Sequence, residues 1–378
     1  MPLLLTDEQT MLRDTARGFI ADNASLQHLR KLRDTNDPTG FSRDLWKQFS
    51  ELGFTGILIP EAEGGLGLGA VEAGIVLEAI GYNLSSSPFL ATAVGGVEAL
   101  KAGSAVQRDQ WFPAILGGDA IVALAIDEGT KHRPASIALK AERSGNGFRL
   151  NGVKRFVAHG HIADLLIVAA RTSGEPGEER GITMFAVKPD TAALTIGVER
   201  LVDSSLASRI AFDGAEVGED AVIGDIDGGW ELLSQLLAVV RTAAAVELIG
   251  VASGAADMTV GYLKERKQFG ALIGSFQALQ HRAAHLYAEI DVARAAVLKA
   301  QQLIDAKHAS ADRAAMVAKA AAGLAATLAV QEGVQLHGGI GMTDEHNIGF
   351  YMKHARVVAE AFGDTDCLAD ALARVSGY

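Results

Sequence analysis

Two stretches late in the chain combine residue types suited to holding an anion. Tyr262-Leu-Lys-Glu-Arg266-Lys-Gln268-Phe269-Gly270 ends a helical pattern in a cation, an amide and a glycine, and Ser275-Phe-Gln277 opens the next helix. Gln335-Leu-His-Gly338-Gly339-Ile-Gly341 repeats the theme of a helix running into a glycine-rich turn. A guanidinium fork pairs with phosphate oxygens, and glycine lets backbone N–H groups approach an anion. A second chemistry is available at Glu247, the sole charged residue between Arg241 and Asp257. A carboxylate on an otherwise apolar helix is costly unless it is paired or used. Gly250, one turn on, would leave room beside it for a ligand. Glu247 therefore has two readings, a proton-abstracting base or a buried acid bonded to backbone or to an Arg. Arg241, six residues away, lies on a different helix face and is a poor partner for it. Asp364, in Ala361-Phe-Gly-Asp-Thr365-Asp366, is a second candidate base, with helix capping as its alternative.

The elements that must position these groups fall into three regions, expected at 1–117, 118–225 and 226–378. The first is helical: Thr6-Asp-Glu-Gln opens a helix with an N-cap residue, and Phe41 to Leu52 and Ala70 to Tyr82 carry helical apolar spacing. Between them Leu52 to Gly67 is rich in Gly and breaks the pattern. In the second region short β-type runs at 121–126, 148–157, 163–168, 182–187 and 209–212 are separated by Gly, Asp and Asn, as in an antiparallel β domain. The third returns to helix at 230–265, 275–306 and 309–336, alanine-rich and joined by brief turns, which predicts a four-helix bundle. The fold class expected is α+β.

The two glycine-bearing motifs, in this order and at this distance, resemble the carboxy-terminal half of the acyl-CoA dehydrogenase family, flavoenzymes that desaturate acyl thioesters. The resemblance covers nearly the whole chain. It implies FAD as cofactor, with Arg266, Gln268, Phe269, Gln277, Gln335, Gly338, Gly339 and Thr365 on its nucleotide side and Phe156 against its ring. It also implies an acyl-CoA substrate, an electron-transfer flavoprotein as acceptor and a tetrameric assembly. The family's usual bases are missing. Gly363 stands where a Tyr-Glu-Gly-Thr motif carries Glu, and Val240 stands at the alternative helical position, which leaves Glu247 and Asp364. The ring side departs too: Asp127 and Ala158 replace threonines that meet the flavin, and His159 reads as a surface turn residue. The stretches Phe362-Gly-Asp-Thr-Asp366, Arg155-Phe-Val-Ala-His-Gly160 and Gly274 to His281 look like small subunits of pimeloyl-CoA-type dehydrogenases. This implies one half of an α2β2 pair, with its bundle serving the partner's FAD. A non-catalytic subunit of such a pair and a flavin oxidase or monooxygenase on the same fold are the alternatives.

Composition narrows the classes further. The 378 residues are 49% hydrophobic and 21% charged, enough for a large interior and more than one core. A net charge of −12 argues against nucleic-acid binding, which needs a basic face. A single cysteine, Cys367, excludes an internal disulfide and fits a reducing cytoplasm. Met1-Pro-Leu-Leu-Leu, followed at once by Asp7 and Glu8, is too short for a signal sequence. No apolar run is expected to span a membrane.

Overall fold

The computed structural model describes residues 4–378, so Met1 to Leu3 of the opening segment lie outside it. The first helices are α1 (Asp7–Asn23), α2 (Leu26–Asp34), α3 (Arg43–Glu51) and α4 (Ala70–Asn83). Thr6 begins α1 as expected: its hydroxyl accepts from Gln9 N at 3.2 Å while Gln9 Oε1 takes Thr6 N–H at 3.0 Å, a reciprocal capping box. A π-helical turn over Leu90–Gly96, α5 (Val97–Lys101) and α6 (Ala105–Leu116) complete the first region. The small residues Gly95 and Gly96 face β1 directly, since a Cβ on either would lie within 3 Å of Leu124 or Val122.

The middle strands are β1 (Val122–Ala125), β2 (Lys140–Ser144), β3 (Gly147–Ala158), β4 (Leu165–Arg171), β5 (Ile182–Val187), β6 (Leu194–Arg200), β7 (Leu206–Gly218) and β8 (Val222–Ile223). They form one sheet in the order β6-β7-β3-β2-β4-β5-β8. It is antiparallel except beside β4, which pairs in parallel with β1, Val122 opposite Leu165, and touches β2 in parallel at one position. β4 is buried along its full length, which its unbroken apolar run anticipates. β2 and β6 have no such signature. β2 reads Lys-Ala-Glu-Arg-Ser with only Ala141 facing the core, and β6 is a half-exposed edge.

The last region holds α7 (Gly229–Glu265), a two-strand hairpin β9 (Lys267–Gln268) and β10 (Ala271–Leu272), then α8 (Gln277–Asp305), α9 (Ala311–His337), α10 (Ile348–Glu360) and α11 (Thr365–Val375). Three long helices are followed by two shorter ones, α10 and α11, both packed on α9. By length and composition α7 and the stretch from Ala311 to Met342 could each cross a membrane, but most of the apolar window of α7 is buried as a core helix requires.

The chain divides into two compact units. One holds residues 4–35, 70–86 and 241–378; the other holds 36–69 and 87–240. The helices before residue 117 are thus shared between the units, and α7 passes from one to the other at Val240 and Arg241.

Candidate active site

The two glycine-bearing motifs converge at one end of the bundle. Tyr262, in the last turn of α7, stacks on His337, the last residue of α9, with ring centroids 4.6 Å apart. Arg266 follows α7 directly, and Phe269 and Gly270 turn the hairpin with φ of 55° and 78°, the pair of left-handed residues a tight hairpin needs. Phe269 is 93% exposed and meets Phe276 edge-on, one residue before Gln277 begins α8. Arg282 donates to Glu332 at 2.6 Å, holding the start of α8 against the end of α9 that carries Gln335. Arg266, Gln268, Gln277, Gln335, Gly338 and Gly339 are all exposed, and a Cβ on Gly270, Gly338 or Gly339 would meet nothing within 4 Å. One cation, three amides and open glycine backbone at one helix-bundle end suit a phosphate-bearing ligand.

Glu247 is elsewhere in the same unit. Its carboxylate accepts from His354 Nε2 of α10 at 2.8 Å, so its partner is a histidine rather than backbone or Arg. Arg241 is committed to other groups: its Nε donates to Phe362 O at 3.0 Å, and Asp312 lies 3.6 Å from its guanidinium. The room expected beside Gly250 is filled. A Cβ there would come within 2.3 Å of Glu78 O, because α4 crosses α7 backbone to backbone, and at Gly81 a Cβ would come within 2.1 Å of Glu247 O. Asp364 is the N-cap of α11, accepting Cys367 N–H at 2.8 Å, the capping role that was its alternative reading. Thr365 follows it in the first turn of α11, over Gly323 of α9. Below this loop Lys319, 1% exposed, donates to Ala359 O at 2.9 Å. Burial pushes its pKa down to about 7, nearby Arg241 adds to the effect, and Glu360, Asp364 and Glu247 partly offset it.

In the second unit Phe156 sits at a bulge where β3 slips against β7, with φ of 53° and its residue surface 46% exposed. Beside it, Arg155 N–H donates to Asp127 O at 2.7 Å. The Asp127 carboxylate is held by His132 Nδ1 at 2.8 Å. Glu128 accepts from Ala138 N, Leu139 N and the fully buried Lys154, so it pins the loop that follows β1. His159, read as a surface turn residue, is half-buried: its ring packs edge-on against Phe41, its Nδ1 is enclosed, and burial pushes its pKa to about 4.

Family models for the acyl-CoA dehydrogenase N-terminal, middle and C-terminal domains match residues 6–119, 126–213 and 227–377 in that order. The chain belongs to the acyl-CoA dehydrogenase family. Cyclohex-1-ene-1-carbonyl-CoA dehydrogenase of Geobacter metallireducens is 29% identical, over 93% of each chain. Among solved structures, a variant of the Tcur3481-Tcur3483 steroid ACAD is 30% identical with a TM-score of 0.89, over 98% of each chain. The ChsE4-ChsE5 complex from Mycobacterium tuberculosis gives 25% and 0.88, over 100% of each.

Acyl-CoA dehydrogenases are FAD-dependent oxidoreductases, and this chain's donors fit the nucleotide side of that cofactor. Arg266, Gln268 and Gln335 face outward beside glycines with open space, as a pyrophosphate and an adenosine require. On the ring side Phe156 supplies an exposed aromatic face, but the Asp127 carboxylate serves His132 and Ala158 carries no hydroxyl. Sequence reasoning passed over His354 and Lys319. Lys319 carried a usable signal, a lone charge in the apolar run Met316 to Leu324, the same logic that singles out Glu247.

Proposed function

We propose that this chain is one subunit of an α2β2 acyl-CoA dehydrogenase that introduces an α,β double bond into an acyl-CoA thioester. Bound FAD would supply the hydride acceptor, with an electron-transfer flavoprotein taking the electrons onward. The observation that carries the reading is the asymmetry of the flavin-binding residues: a complete, outward-facing nucleotide set on the bundle and a ring side without its hydroxyl donors. Arg266, Gln268, Phe269, Gln277, Gln335, Gly338 and Gly339 would serve the flavin of the neighbouring subunit. The likeness to a complex of two differently named chains, ChsE4 and ChsE5, supports a heteromeric pair. Glu247 is the group proposed to take the α-proton. It is the acid on the apolar face of α7, and abstraction of a carbon acid's proton needs a carboxylate away from bulk water.

A second reading, a subunit that completes an active partner without chemistry of its own, draws on the commitment of Asp127 to His132. The deciding experiment is the flavin spectrum and native mass of the chain purified alone and with its co-expressed partner. The proposal expects flavin-poor protein alone and a flavin-loaded tetramer with the partner. A flavin-replete, active homotetramer would overturn it.

A further inference from the structure

A base on a helix interior must be held in one orientation, yet stay able to take a proton. Two side chains that could pair with Glu247 from the same region, Arg241 and Lys319, are instead held by the segment from Ala359 to Phe362. Lys319 donates to Ala359 O in the last turn of α10, where helix carbonyls lack partners, and Arg241 to Phe362 O in the loop that follows. A third, His354, reaches across from α10 to α7 and bonds the carboxylate at 2.8 Å. The pair is not sealed: 11% of the Glu247 side chain and 21% of the His354 side chain are exposed. All around it α7 is apolar, with Ala244, Ala245, Leu248 and Ile249 buried.

We infer that His354 is the positioning residue of Glu247, fixing one carboxylate oxygen through its Nε2–H so that the other is presented to the substrate α carbon. The inference rests on Glu247 acting as the base. An imidazole suits this task better than a guanidinium: its ring offers a single N–H to one carboxylate oxygen, where a guanidinium fork would take both. In the step itself the α carbon–hydrogen bond breaks, an O–H bond forms on the free oxygen of Glu247, and the electron pair stays with the substrate. His354 keeps its bond to the other oxygen throughout.

The test uses the assembled, FAD-loaded enzyme with an acyl-CoA that the wild type turns over. It compares Glu247→Gln, His354→Leu and His354→Gln after checking melting temperature and flavin content. A second readout is mass-spectrometric exchange of the substrate α-hydrogen in D2O without an electron acceptor, which follows the base alone. Glu247→Gln is expected to lower turnover and exchange by roughly 10³-fold. His354→Leu is expected to lower kcat and exchange about tenfold with KM unchanged, the loss of one oriented hydrogen bond. His354→Gln, which keeps an N–H donor, should recover most of that loss. Full exchange in His354→Leu, with Glu247→Gln inactive, would overturn the positioning role and leave the base assignment standing. Full exchange in Glu247→Gln would overturn both. Should His354→Leu fail to fold, His354→Asn replaces it: its shorter amide cannot reach Glu247, so wild-type exchange there would also overturn the inference.

Discussion

Two titrating side chains, the buried Lys319 and the half-buried His159, set expectations at opposite ends of the pH scale. Lys319 is held near pKa 7 in the fold while a free lysine titrates near 10.5. Between those values the unfolded chain binds the extra proton, so stability should rise as pH increases from about 7 to about 10.5. Lys319→Met removes this titration. Urea midpoints measured across that range should climb less steeply in the variant than in the wild type. His159 acts at the acid end. Burial, and then the neighbouring His161, hold its pKa near 4 against 6.5 for a free imidazole, with a bond to the Ser87 backbone opposing them. Below 6.5 the unfolded chain takes up the proton first, so stability is lost as pH falls towards 4. His159→Asn keeps a residue tolerant of the observed φ of 59° and should flatten that acid limb in the same denaturation series.

Glycines in this chain do two different jobs, and substitution separates them. Gly250 lies where α4 and α7 touch backbone to backbone, and a Cβ would collide with Glu78 O and Tyr82 N. Gly250→Ala should therefore cost about 1–3 kcal/mol, read by chemical denaturation, whatever the ligand state. Gly339 has open space beside it and no left-handed φ, so Gly339→Ala should leave the melting temperature alone. If the turn faces a pyrophosphate, the same change should weaken flavin retention, measured as FAD per tetramer after dialysis. Much of this was legible in the sequence. Thr6 capped its helix, the glycine-bearing connection after α7 and the glycine turn after α9 fell where their residue types required, and Glu247 stood out as a lone acid. Three things were hidden. β2 is too polar to read as a strand. Gly250 looks alike in a pocket and in a helix crossing. The partner of Glu247 lies 107 residues away, and no local pattern encodes such a contact.

At the scale of the whole chain, α7 separates two tasks. Glu247 and Arg266 stand about five turns and about 28 Å apart along one helix direction, because each residue adds about 1.5 Å. A substrate α carbon at Glu247 and a pyrophosphate at Arg266 are too far apart to be adjacent parts of one centre. On the proposed assembly, a chain using both residues contributes to two centres, its own through Glu247 and a neighbour's through Arg266. This makes the two variants unlike in the assembled enzyme. Glu247→Gln should abolish turnover at the centre it serves while the flavin spectrum stays at full intensity. Arg266→Ala should release flavin, with lower absorbance per tetramer and unchanged melting of the protein itself. It removes an exposed guanidinium. Added FAD should restore activity to Arg266→Ala in a concentration-dependent manner and should do nothing for Glu247→Gln. Full flavin content in Arg266→Ala would mean that the hairpin, despite its exposed Phe269 and open glycine, does not hold the cofactor.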